Sequence, residues 1–157
     1  MKFAHLIEIN DPRNPLIDPL SRSQLWRGLV LRATQPEAFV PQLDRCTLLE
    51  QSGLHLVREL QYGDIVLRDN VRFLPQQQVI YEVPAQEGLP PSRLTMTIEE
   101  PESGALFVRF EYETESSAEQ DAVSAMYDDF RRSAYKESDL DTVRGIRELA
   151  DAGRLGQ

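Results

Sequence analysis

Apolar and polar residues alternate at the start of the chain, where Phe3, His5, Ile7 and Ile9 share one face of an extended segment. The turn-rich run Asn10-Asp-Pro-Arg-Asn-Pro15 ends that strand. The period then changes. Leu25, Trp26, Leu29 and Val30 recur at helical spacing, behind Ser21 or Ser23, either of which can cap. Pro36 lacks an N–H donor and stops the helix, leaving 36–40 for one further turn. Strand-like segments follow at 46–50, 54–62, 65–74, 78–83, 94–99 and 105–113, rich in β-branched, aromatic and leucine residues. Turn signals separate them at Gly53, Gly63-Asp64, Pro75, Gly88-Leu-Pro-Pro91 and Pro101-Glu-Ser-Gly104. In the last two, Leu94, Met96 and Ile98 oppose Thr95, Thr97 and Glu99, and Leu106, Val108, Phe110 and Tyr112 oppose Phe107, Arg109, Glu111 and Glu113. One dry and one wet face is the pattern of an antiparallel sheet packed on one side.

The chain then reads as helix from about 117 to 153. Ser116 or Ser117 is the expected cap, and Glu119 and Asp121 suit the positive end of the helix dipole. Val123, Met126, Tyr127 and Phe130 form one apolar stripe, and Val143, Ile146, Leu149 and Ala150 form another. The polar run Lys136-Glu-Ser-Asp139 between them reads as a kink or a break.

One hairpin can be registered by arithmetic. A two-residue type II′ loop at Gly63-Asp64 sets Tyr62 opposite Ile65. Leu60 then meets Leu67, Arg58 meets Asp69, Leu56 meets Val71 and Leu54 meets Phe73, all on one face, with Glu59 opposite Arg68 on the other. Arg58 and Asp69 are the exception on an apolar face, and a buried pair of charges needs close hydrogen bonding to break even. Two readings stand: a structural ion pair near the sheet rim, or a polar anchor aimed at a ligand's carboxylate, hydroxyl or carbonyl.

Composition narrows the partners. The chain has 157 residues, enough for a single domain over 1–157. A net charge of -9 makes phosphate backbones and anionic lipid poor partners, so neither nucleic acid nor membrane is expected. No apolar run approaches the ~20 residues that span a bilayer, and the first residues show no secretory pattern. The lone Cys46 leaves no internal disulfide and fits a reducing cytoplasm. It has no nearby base for nucleophilic work. His5 and His55 have no metal-ligand spacing, so no metal is expected. No phosphate-binding glycine loop and no Gly-x-Ser-x-Gly are present, and no cofactor is implied.

The order of one strand, a helical region, six strands and a long terminal helix resembles the START-like, or SRPBCC, helix-grip superfamily, also called Bet v 1-like. More narrowly, Leu20-Ser-Arg-Ser-Gln-Leu-Trp-Arg-Gly-Leu-Val30, followed by Phe39-Val-Pro41 and Cys46, resembles the AtaL-like group, a domain of unknown function. The resemblance implies an α+β fold in which a curved antiparallel sheet of about seven strands wraps a long C-terminal helix, with a cavity between them. The superfamily includes plant hormone receptors, lipid-transfer domains, polyketide cyclases, ring-hydroxylase subunits and an Hsp90 activator, so it predicts a pocket better than an activity.

In that fold the inward positions form the candidate site: His5, Arg58, Asp69, Phe73, Tyr81, Met96, Phe110 and Tyr112 from the sheet, and Met126, Tyr127 and Phe130 from the helix. Such walls suit a small hydrophobic or aromatic molecule. They could equally be core. Three functions follow: a carrier or sensor of such a ligand; a cofactor-independent cyclase, dehydratase or isomerase on a polyketide-like substrate, using His5, Arg58, Asp69 and tyrosines; or a cochaperone-like interaction module presenting the acidic outer face. A homodimer is compatible with each.

Overall fold

A computed structural model describes residues 1–86, 89–115 and 122–157, with the backbone alone for 122–125. The elements are β1 (Lys2–Asn10), α1 (Arg22–Thr34), a 3₁₀ turn (Pro36–Ala38), β2 (Arg45–Ser52), β3 (His55–Tyr62), β4 (Ile65–Leu74), β5 (Gln78–Val83), β6 (Ser92–Glu102), β7 (Ala105–Thr114) and α2 (Ala122–Asp151). The strands form one antiparallel sheet in the order β1-β7-β6-β5-β4-β3-β2. This is the Bet v 1-like helix-grip arrangement. No helix among the described residues is long and apolar enough to cross a membrane.

The alternation decides which face is dry. Val71, Val79, Met96, Val108 and Phe110 have no exposed surface, and Ile9, Leu25 and Leu29 meet them from β1 and α1. The β3–β4 hairpin has the arithmetic register, with Tyr62 opposite Ile65, Arg58 opposite Asp69 and Leu56 opposite Val71. Gly63 supplies the positive φ that the first loop position needs. Glu59 pairs with Arg68 at 3.4 Å on the wet face. Leu54 departs from the pattern. It occupies the preceding two-residue turn beside Gly53, between the paired Ser52 and His55, and is exposed.

α1 begins with a capping box: the Ser21 hydroxyl accepts from the Gln24 amide at 3.0 Å, and the Gln24 side chain accepts from the Ser21 amide at 2.9 Å. It crosses α2 closely. A Cβ on Gly28 would lie 2.6 Å from Ile146 Cγ2, and one on Gly145 would lie 2.9 Å from Phe39.

α2 runs unbroken through Lys136–Asp139, which corrects the expected kink. The consequence is a matter of phase. At about 100° per residue, Phe130 lies about 160° around the helix from Ile146, and Met126 about 200°. A straight helix cannot turn both stripes inward. The stripe that docks is Tyr135, Asp139, Thr142, Val143 and Ile146. Met126, Tyr127 and Phe130 stand 74%, 63% and 75% exposed, so their expected place in the interior is corrected. The expected cap at Ser116 or Ser117, the acidic first turn at Glu119 and Asp121, Gly88 and the Val123 side chain lie outside the described residues.

Candidate ligand-binding site

The inner face is built in transverse rows. One row runs Leu56, Val71, Tyr81, Leu94, Tyr112, Phe3 across β3, β4, β5, β6, β7 and β1. The next runs Phe73, Val79, Met96, Phe110, His5. The second row is largely sealed: Met96 and Phe110 have no exposed surface, and Phe73 packs edge-on to Trp26 at 6.3 Å between ring centroids. These three expected ligand contacts are buried in the core, as are Tyr81 and Tyr112 of the first row. The first row is covered less completely, with Phe3 and Leu94 half-buried. His5, at the end of the second row, keeps 14% of its side chain exposed.

Polar groups gather around the open part. Asp139 of α2 is wholly buried and takes two short hydrogen bonds, from Tyr112 Oη to Oδ1 at 2.6 Å and from His5 Nε2 to Oδ2 at 2.6 Å. Burial pushes the Asp139 carboxyl pKa up, while the Tyr112 and His5 hydrogen bonds and the nearby Arg32 charge oppose that rise. Burial and the Asp139 carboxylate push the Tyr112 phenol far above its usual range, so it remains a donor. Aromatic stacking fixes the group. The Tyr112 and Tyr135 rings lie 3.9 Å apart and nearly parallel, and His5 stacks between Phe3 and Phe110 at 5.4 and 5.5 Å. With Nε2 donating to Asp139, the neutral His5 ring has Nδ1 as its proton acceptor.

A second polar group lies in the adjoining row, on the side of the first row away from Met96. Arg58 and Asp69 are inward and buried, and they form a two-pronged pair, Nε to Oδ1 at 2.8 Å and Nη2 to Oδ2 at 2.5 Å. Arg58 Nη1 also donates to the Ala33 carbonyl at 2.9 Å, tying the end of α1 to the sheet. Burial disfavours the Arg58 charge, and the Asp69 carboxylate more than offsets it, holding the guanidinium pKa above its usual value. Of the two readings of this pair, the geometry fits a structural clamp. The guanidinium carbons of Arg58 and Arg32 lie 5.1 and 5.2 Å from the Tyr81 ring centroid.

The sequence reading missed Asp139, Arg32, Thr142 and Tyr135. A signal was present in α2, because Tyr135, Asp139, Thr142 and Ile146 repeat at helical spacing with Val143. Among the described residues no group of His, Cys, Asp and Glu could hold a metal ion. Burial raises the Cys46 thiol pKa, which makes it a poor nucleophile. A separate depression of about 560 Å³ at one end of the sheet is lined by Lys2, Glu82, Arg93 and Glu113, outward-facing charged residues, and does not include the polar groups above.

Residues 7–153 match the family model described as acetylaranotin biosynthesis cluster protein L, AtaL. The chain belongs to the AtaL family. Solved structures share the architecture of this AtaL-family chain at low identity. The Zhui aromatase/cyclase from Streptomyces sp. R1128 aligns with a TM-score of 0.65 and 10% identity, over 98% of this chain and 94% of that one. The di-domain ARO/CYC StfQ from the steffimycin biosynthetic pathway aligns at 0.67 and 11%, over 96% of this chain and 51% of that one. Ara h 8.0201 aligns at 0.60 and 12%, over 97% and 98%. At such identities the likeness establishes the SRPBCC fold. No curated protein sequence matches the AtaL-family chain.

Proposed function

We propose that this AtaL-family protein binds a small hydrophobic or aromatic molecule against the inner face of its sheet, beside the docked half of α2. The observation that carries the reading is the half-buried pair Leu94 and Phe3, on either side of the buried Tyr112 and flanked by buried polar groups. A filled core would close this row as it closes the Met96 row. A rigid apolar floor with a few fixed polar groups is what a small-molecule site requires. His5, Tyr81 and Tyr112 are the ligand contacts in this reading, and Arg58 and Asp69 hold Tyr81 in place. Titration with a panel of aromatic and polyketide-like compounds tests it. Saturable binding is expected, and Leu94→Trp is expected to abolish it while the melting temperature stays within a few degrees. No saturable binding, or binding indifferent to Leu94→Trp, overturns the reading.

The His5–Asp139–Tyr112 group favours a second reading, cofactor-independent acid–base catalysis of the cyclase or dehydratase kind. A histidine oriented by a carboxylate through one nitrogen can accept a proton at the other. In this reading His5 is the base and Tyr112 positions Asp139. Turnover of an enolisable aryl ketone that His5→Gln removes, with binding retained, would establish it. Binding without turnover would leave the carrier reading alone.

A further inference from the structure

Two guanidinia lie over the Tyr81 ring, and they differ in one respect. Arg58 is neutralised by Asp69 in a two-pronged pair. Arg32 has no carboxylate within ion-pair distance among the described residues. Its Nε donates to Thr142 Oγ1 at 3.1 Å, and the Tyr81 hydroxyl acts on its charge without completing a hydrogen bond. The side chain is nevertheless half-buried, in the last turn of α1 and facing the space between sheet and α2. Asp139 is close enough to act on the Arg32 charge, yet both of its oxygens are occupied by Tyr112 and His5.

Beside Arg32 stands a second unused donor. Tyr81 is 4% exposed, and its buried hydroxyl has no hydrogen-bond partner. A buried hydroxyl left unmade costs on the order of 1–3 kcal/mol. Its carrier, Tyr81, is held between the Arg58 clamp and Arg32, so it cannot swing out to water without breaking both contacts. A planar guanidinium whose terminal nitrogens make no hydrogen bond to the described residues, with a phenolic O–H nearby, supplies donors of the kind that take up two anionic oxygens. The neighbouring Leu94 offers apolar surface for the rest of such a ligand.

We propose that Arg32 and Tyr81 form an anion-recognition point, and that the ligand of this site is a hydrophobic acid whose carboxylate they bind. This rests on the reading of the inner row as a ligand site and adds to it the charge and polarity of the ligand. The Asp139 group at the other end of the row repels a second negative charge, so a monoanion is selected over a dianion.

The test compares acids with their uncharged amides: benzoate, 2-naphthoate and 9-anthracenecarboxylate against benzamide, 2-naphthamide and 9-anthracenecarboxamide, by titration calorimetry at neutral pH. The wild type is expected to bind at least one acid tenfold or more tightly than its amide. Arg32→Gln is expected to bring that pair to near parity, and Tyr81→Phe to reduce the preference severalfold. Arg32→Lys keeps the cation and its stem, and serves if Arg32→Gln does not fold. It is expected to retain only part of the preference, because an ammonium does not span two oxygens. Equal binding of acids and amides, or a preference that survives Arg32→Gln, overturns the anion site and leaves the hydrophobic-ligand reading standing. No binding by any of the six overturns both.

Discussion

Arg58 and Asp69 carry opposite charges into an apolar sheet face, and the geometry makes that tolerable. Each carboxylate oxygen accepts one guanidinium N–H, and the Ala33 carbonyl takes a third. Removing one partner leaves the other buried and alone. Asp69→Ala is therefore expected to lower stability by about 3–5 kcal/mol, whereas the double change Arg58→Met, Asp69→Leu is expected to lie within about 1–2 kcal/mol of the wild type. Denaturant unfolding of the three proteins checks this. The pair was legible in the sequence because the hairpin sum placed both charges on one face. Its purpose was not, because the carbonyl of Ala33 comes from α1, a contact no strand register contains. Asp139 poses the reverse case. Its position was on the docking stripe, yet its polar neighbours Lys136, Glu137 and Ser138 read as a break, and only the stacked Tyr112 and His5 explain a buried acid there. Its native pKa stands above the ordinary 3.8, chiefly through burial. Between those two values the native state holds more protons than the unfolded chain. This contribution is full below 3.8 and is lost as pH rises through the native value. Unfolding free energies across a pH series should accordingly show wild type losing stability relative to Asp139→Asn as pH increases.

At the scale of elements, end signals and close crossings decide where α1 sits. Ser21 was one of two caps the sequence offered, and the capping box with Gln24 selects it. Ser21→Ala is expected to cost about 1 kcal/mol, read from chemical denaturation. The crossing of α1 on α2 was not visible beforehand, since nothing in Arg27-Gly-Leu29 says what faces the glycine. It faces Ile146, which is 1% exposed and has no room to retreat. Gly28→Ala is expected to destabilise by about 1–3 kcal/mol through overpacking, and Ile146→Ala, which removes both clashing Cγ atoms, should cost less in the Gly28→Ala chain than it does alone, recovering part of the loss. Thermal unfolding of the single and double variants measures the recovery. The two stripes of α2 illustrate a different limit. Periodicity found both, but their relative phase has meaning only once the helix is known to be continuous, and continuity was the one property that the polar stretch obscured.

Across the whole molecule, the seven-stranded sheet supplies a dry wall that two helices cover unevenly. α1 and the C-terminal half of α2 seal the rows around Val79, Met96 and Phe110, while Leu94 and Phe3 in the neighbouring row are left half-buried. The outer face carries exposed pairs such as Arg72 with Glu82 at 2.5 Å and Arg109 with Glu99 at 2.5 Å. Each is worth at most about 1 kcal/mol and is screened by salt, so the fold rests on the inner face. The sequence pattern was enough to divide inner from outer residues, because a sheet with one wet face alternates strictly. It could not divide inner residues into core and site, because Met96 and Leu94 look alike until the covering helices are in place. A crystal structure of the protein with its tightest-binding aromatic probe draws that division by experiment. Ligand density is expected over Leu94, between Tyr81 and Tyr112. Density only on the outer face or along Met126 and Phe130, with Leu94 still bare, would contradict it.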